Sequence, residues 1–481
     1  MKHSITLNNF LKKHKSTLLW VLAIAFWIAV WEAVALRIGS ELIIATPVKV
    51  AKVFFEMIFK ADTWRSLGFS LVRISSGFAL AFILGSVLAA VSSKIQAVKI
   101  LLSPITSVIK STPVASFVIL AIIWFGSKNL SIFISFLMVF PVIYLNILKG
   151  IESVDHELLE MAKVFNISFG RRVMYIYMPS LMPFVISACS VALGLCWKSG
   201  VAAEVIGISS GSIGERLYRA KLYFETGELL AWTAAIILIS TAFEKLIMFI
   251  LKRVLMIPER AYPEKYLKEI SERTASENKP AAEGISLESI SKSFGGRTVL
   301  DDVTLILAPG EHTAVMGMSG AGKTTLARIA AGLERQDSGK AERPDRLGFV
   351  FQEDRLIGCL NALGNLAIAG ADPCEAYETL KAFRFTDELI FKPSETLSGG
   401  EKRRAAIARA LLCGAGDIIL DEPFKGIDDE TLREYILPQV KCLTEGKTVL
   451  MITHSAEEAG ELCGRTVDIS KNIDTDESVK E

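Results

Sequence analysis

A helical membrane domain of six spans followed by an α/β phosphate-binding domain is the fold class predicted by three observations. Long apolar runs are confined to residues before 256. A charged stretch ending in Lys279-Pro280-Ala281-Ala282 separates them from the remainder and reads as a tether. Beyond it, short apolar runs such as 313–316 and 418–420 alternate with helical patterns such as 324–333, as an α/β domain requires.

The composition agrees. At 481 residues the chain is too long for one core. Lys plus Arg total 53 against 52 Asp plus Glu, and a net charge of +1 offers no field to hold nucleic acid. Hydrophobic residues make up 51%, charged residues 22%, and mean hydropathy is +0.40, which excludes a disordered chain and points to a membrane component. Cys189, Cys196, Cys359, Cys374, Cys413, Cys442 and Cys463 are odd in number and form no Cys-x-x-Cys, so they read as buried thiols in a reducing compartment.

The first expected span, 17–36, follows a tail carrying Lys2, Lys12, Lys13 and Lys15. Ala33-Val34-Ala35 resembles a signal-peptidase site, but Glu32, Trp27 and Trp31 crowd it, so a retained helix is the reading. Further spans are expected at 71–92, 113–124, 130–148, 181–203 and 229–250. An even number places both termini on one side. A phosphate-loop pattern in the remainder of the chain, Gly317 to Thr324, puts that side in the cytoplasm, and flanking Lys and Arg lean weakly the same way. The expected layout is a membrane domain over 1–260, a linker over 261–284 and a nucleotide-binding domain over 285–481, in a multi-pass protein of the cytoplasmic (inner) membrane.

Gly317-Met318-Ser319-Gly320-Ala321-Gly322-Lys323-Thr324 follows an apolar strand and opens a helix, the context of a phosphate loop, with Thr325 next. Glycines let backbone N–H groups wrap phosphates, Lys323 reaches the β and γ phosphates of ATP, and Thr324 offers its hydroxyl to Mg²⁺. The run Asp417-Ile418-Ile419-Leu420 ends in Asp421, a metal ligand, and Glu422, placed to polarise water.

Leu397-Ser398-Gly399-Gly400-Glu401 precedes the Asp421 strand, Gln352 follows a strand at 347–351, and His454 ends one at 448–453. In this order the motifs resemble the ATPase domain of ABC transporters over about 285–470. The resemblance implies that Gln352 is the Q-loop residue and a metal ligand, His454 the switch histidine, Asp428 the D-loop aspartate, and Phe294 the aromatic stacked on adenine. It also implies that ATP lies between one domain's phosphate loop and the Ser398, Gly399 and Gly400 signature of another, so that two copies assemble. His3, His14, His156 and His312 read as ordinary core or surface residues. Lys425-Gly426-Ile427-Asp428 stands where that family usually has Ser-Ala-Leu-Asp, and the stretch 323–352 is shorter than usual.

Six spans fused to one ATPase also fit an exporter, or a regulatory membrane ATPase. The loop between the fourth and fifth spans favours an importer. Glu160-Met161-Ala162-Lys163-Val164-Phe165-Asn166, followed by Ile176-Tyr177-Met178-Pro179, is similar to the EAA loop of importer permeases. Asn166 stands where that loop has Gly and is the next best residue at a left-handed helix end. The resemblance implies a short coupling helix docked in a groove of the ATPase. Lys110 to Val114, Ile122 to Gly126 and Trp197 with Ala203-Glu204 are similar to the sulfonate, taurine and nitrate importers, a branch that includes importers of thiamine precursors. An extracytoplasmic solute-binding protein is the implied partner. Lys198, charged inside the fifth span, is a candidate for the substrate pathway, and Glu204, about 120° around the helix, is a poor partner for it.

Overall fold

Within hydrocarbon every backbone polar group must be satisfied by its own segment, so the apolar runs fold as helices. The computed structural model describes the backbone of residues 2–255 and 281–469 and the side chains of 19–253 and 281–469. The tail lysines and most of the tether lie outside the described side chains. Two units form, Met1–Ser153 with Leu181–Arg253, and Val154–Ser180 with Val254–Glu481.

In the first unit, Leu19–Ile38, Ala61–Lys94, Leu130–Glu152, Phe169–Gly207 and Thr226–Arg253 are long and apolar enough to cross a membrane. The segment expected as a span at 113–124 is built differently. Gln96–Ser111 and Val114–Phe125 form a pair bent by 109°. A helix of 12 residues reaches only ~18 Å, short of a ~30 Å hydrocarbon core. Thr112 is extended, as a residue before proline must be, and Gly126 at φ +66° closes the far end. Ala61–Lys94 lies against Leu130–Glu152 through buried Gly77, Ala81, Gly85 and Ala89, which recur every fourth residue. A Cβ on Gly77 would stand 2.5 Å from the carbonyl oxygen of Ile132, so this approach needs glycine. The Leu19–Ile38 helix leaves most of its apolar side chains exposed, as a lipid-facing helix does, whereas Thr226–Arg253 packs Ala231, Trp232 and Ala235 into the core and exposes Ile237, Leu238, Leu246 and Phe249.

Among the described residues the second unit holds eight strands: β1 Ile285–Phe294, β2 Arg297–Leu307, β3 His312–Met316, β4 Ser338–Glu342, β5 Leu347–Val350, β6 Asp417–Asp421, β7 Thr448–Ile452 and β8 Arg465–Asp468. An antiparallel sheet is ordered β2-β1-β4 and a parallel sheet β5-β6-β7-β3-β8. β6 and β7 are buried throughout, which is why they read as unbroken apolar runs. Cys442, expected among the buried thiols, is exposed. Val315 pairs with Ile452 and Ile452 with Asp421, so β3, β6 and β7 end at one level. The loops that carry the expected chemistry therefore leave the same edge of the sheet, where ligands bind in open α/β folds.

Candidate functional site

β3 delivers the chain to Gly317 at φ +147°, Gly320 at +86° and Gly322 at +83°, and the helix Lys323–Ala330 starts immediately after. These conformations suit glycine, and a loop of this kind before a helix N-terminus is the setting in which backbone N–H groups can face an anion. Ala321 and Lys323 are buried, whereas Ser319, Gly320 and Thr324 are exposed and Thr325 half-buried. The Lys323 ammonium donates to the carbonyls of Gly317 at 2.7 Å and Met318 at 2.8 Å. Burial lowers its pKa, against the pull of Glu422, Asp421 and Asp468.

Thr324 Oγ1 lies 3.5 Å from Asp421 Oδ1. Burial pushes the Asp421 carboxyl up to about 6, with the Thr324 hydrogen bond opposing it. A buried carboxylate beside a hydroxyl is a hard-oxygen donor set suited to Mg²⁺. Glu422 follows with its backbone left-handed at φ +46°. Its carboxylate is bracketed by His454, Nε2 to Oε1 3.3 Å, and by Lys425, Nζ to Oε2 3.2 Å. The departure at the D-loop thus brings a cation to the candidate water-polarising group.

Ser398 caps the helix Gly399–Leu412 in a capping box. Its N–H donates to Glu401 Oε2 at 2.8 Å and its hydroxyl accepts from the Glu401 N–H at 3.4 Å. Ser398 and Gly399 are exposed, and among the described residues no hydrogen bond joins Ser398, Gly399 or Gly400 to the phosphate loop. Asp428 accepts from the Thr431 N–H at 2.9 Å as the cap of a short helix. Gln352 is exposed at the end of β5, and Phe294 is half exposed with the Lys292 ammonium 5.1 Å from its ring centre.

The segment resembling an EAA loop belongs to this unit. Asp155 caps the helix His156–Val164, and Asn166 follows it at φ +50°. The Asn166 N–H returns to the Lys163 carbonyl at 3.2 Å and that of Ile167 to Ala162 at 3.0 Å, a Schellman end in which asparagine serves for glycine. Met161 and Ala162 are fully buried in the unit's core. Glu160 accepts from Arg328 at 2.5 and 3.0 Å and from Arg355 at 2.7 Å. Burial raises its pKa but the hydrogen bonds and charges of the two arginines outweigh it, so the carboxyl is held below its usual value. Lys163 Nζ donates to the Gly332 carbonyl at 2.8 Å and Asn166 Nδ2 to Asp345 at 3.2 Å. Pro179 has no N–H for the Tyr175 carbonyl four residues earlier, and that oxygen accepts from Cys359 Sγ at 3.6 Å.

Lys198 is exposed on the helix Met178–Gly207. The ionisable residue buried there is Glu204, which accepts from Ser70 at 2.6 Å and the Gly214 N–H at 3.3 Å. Arg328, Arg355, Arg403 and Arg409 escape a motif search, because nothing in the spacing says what they hold. The one local signal is the presence of three arginines, Arg403, Arg404 and Arg409, inside the otherwise alanine-rich run Arg403 to Leu412.

Comparison with known proteins now bears on this geometry. Residues 300–425 match the ABC transporter family, and residues 77–255 match the family described as binding-protein-dependent transport system inner membrane component. The aliphatic sulfonates import ATP-binding protein SsuB of Granulibacter bethesdensis is 38% identical over 187 residues, covering 38% of this chain and 78% of that protein. The SsuB of Delftia acidovorans is 39% identical over 189 residues, covering 38% and 78%. A dimeric post-hydrolysis structure of the ATP-binding cassette MJ0796 bound to ADP and Pi is 30% identical, covers 38% of this chain and 93% of its own, and has a TM-score of 0.35. With a nucleotide-binding ATPase and an inner-membrane transport component on one polypeptide, the chain belongs to the ABC transporters, membrane proteins that couple ATP hydrolysis to solute transport.

Proposed function

We propose that this chain is half of a homodimeric importer for a sulfonate-type anion, served by an extracytoplasmic solute-binding protein. The names of its SsuB relatives support sulfonates over taurine, nitrate or a thiamine precursor. The permease occupies 1–260, the linker 261–284 and the ATPase 285–481, with both termini on the cytoplasmic face of the cytoplasmic membrane. Mg²⁺, held by Thr324, Gln352 and Asp421, would neutralise charge on the β and γ phosphates of ATP. The loop from Gly317 to Thr325 binds the phosphates, with Lys323 as the counter-charge. Glu422 polarises the attacking water, and His454, 3.3 Å away, holds that carboxylate. Phe294 supports the base, while Ser398, Gly399, Gly400 and Asp428 serve the partner's nucleotide.

The docking of Glu160 between Arg328 and Arg355 carries the importer reading. It anchors a loop of the binding-protein-dependent type on the ATPase unit, and Ala162, Asn166 and Pro179 shape that loop. Uptake of a labelled alkanesulfonate into proteoliposomes, with a sulfonate-binding protein supplied, tests it. Glu160→Lys should lower uptake and solute-stimulated hydrolysis together by ~10-fold or more, since a buried charge pair is broken, while nucleotide affinity persists. Uptake at the wild-type rate, or export that needs no binding protein, would return the loop to an ordinary surface helix.

A further inference from the structure

The helix Gly399–Leu412 carries a guanidinium that no motif assigns. Arg403 is 3% exposed, and every one of its hydrogen bonds but one goes to backbone carbonyls. Nε donates to Pro423 at 2.7 Å, Nη1 to Phe351 at 2.5 Å and Gln352 at 3.2 Å, and Nη2 to Asp421 at 3.1 Å and Glu422 at 2.5 Å. The exception is the Asp354 carboxylate, 3.4 Å from Nη1. One side chain thus grips the chain beyond β5 and the chain beyond β6, strands paired at Val350 and Leu420. Burying a cation costs desolvation that an apolar residue would avoid. What the planar fork supplies is simultaneous reach to both segments, which a lysine's point charge cannot reproduce.

The far end of the same helix holds the other end of the Q loop. Arg409, 1% exposed, donates to the carbonyls of Arg355 at 2.7 Å and Asp354 at 3.1 Å. Arg355 in turn holds Glu160. Glu422 needs such support, since a non-glycine residue in the left-handed region persists only when its surroundings over-determine it. Its N–H is fixed on the Ile452 carbonyl at 2.9 Å and its own carbonyl on Arg403.

We propose that Arg403 is a positioning residue that locks the backbone of Glu422 to that of Gln352, so that displacement of residues 352–355 by the helix bearing Glu160 is felt at the hydrolytic carboxylate. The proposal rests on the reading of Glu422 and Glu160 given above. In the full-length transporter, Arg403→Lys should cut kcat for ATP at least ~10-fold, as small misplacements of a reacting group do, with KM for ATP within about twofold. A merely structural cation would be satisfied by lysine and leave kcat intact. Arg403→Met, which keeps the apolar stem and drops the head, should give the same split and serves if the lysine variant folds poorly. Combined with Glu160→Gln, the losses in solute-stimulated hydrolysis should not multiply, the signature of coupled residues. Full kcat in both variants, kcat and KM failing together, or losses that multiply would overturn the proposal. A Glu422→Gln control separates the two readings. Wild-type turnover there overturns the hydrolysis reading and this proposal with it, whereas a dead Glu422→Gln beside unimpaired Arg403 variants overturns the proposal alone.

Discussion

Gly320 and Gly322 share a left-handed backbone, but only one of them has neighbours where a side chain would go. A Cβ at Gly320 meets nothing within 4 Å, whereas one at Gly322 would lie 2.7 Å from Leu300 Cδ2 and 2.8 Å from the Val299 carbonyl oxygen. Within the protein itself Gly320→Ala should therefore cost about 1 kcal/mol, from an unfavourable φ. Gly322→Ala adds a clash with backbone, and titration with a fluorescent ATP analogue should show an affinity loss at least ~10-fold larger than for Gly320→Ala, a further ~1.4 kcal/mol. Equal losses would show that the wall formed by Val299 and Leu300 gives way. The same contrast shows what is legible at this scale. The phosphate loop is written in consecutive residues, so its glycines and Lys323 can be read directly. Glu160, the carboxylate that Arg328 and Arg355 share, lies 168 and 195 positions away from them in the chain, and no local pattern announces it.

At the scale of elements, helix ends were legible where a side chain meets its own neighbours. Asn166 was expected to tolerate a left-handed turn, and it sits at φ +50°. Asn166→Gly should preserve the turn and lose only the hydrogen bond to Asp345, while Asn166→Val, β-branched in a left-handed position, should cost roughly 1–2 kcal/mol and loosen the docked helix. Solute-stimulated hydrolysis by the two variants checks this: valine should fall well below glycine, and equal rates would mean that the turn carries no strain. The capping box of Ser398 and Glu401 is a finding of the structure that the signature reading of this run did not anticipate, although its Ser-x-x-Glu spacing is local. The bent pair at 96–125 was not legible, because hydropathy averages over the break at Thr112-Pro113 and takes no notice of backbone direction.

At the scale of the whole molecule, one chain holds one phosphate loop and one signature with no hydrogen bond between them among the described residues. Two copies would complete each other's sites. Lys323→Ala chains and Ser398→Arg chains, each inactive alone, should regain ATP turnover when co-expressed, since the intact loop of one meets the intact signature of the other. Silence in mixed dimers shown to have formed would rule out shared sites.

Composition, apolar run length and motif order by themselves determined the class of this protein: a membrane-spanning permease followed by an α/β ATPase that carries a phosphate-loop motif. Those properties depend on hydrophobicity averaged over a segment or on residues a few positions apart, and both survive without knowledge of the fold. Tertiary structure alone decided which side chains serve that chemistry from a distance. It set Glu160 between two arginines, His454 on Glu422, and Arg403 across the ends of β5 and β6. A buried charge is stable only where partners converge on it from separate elements, and that convergence exists only once the sheet has aligned the ends of its strands.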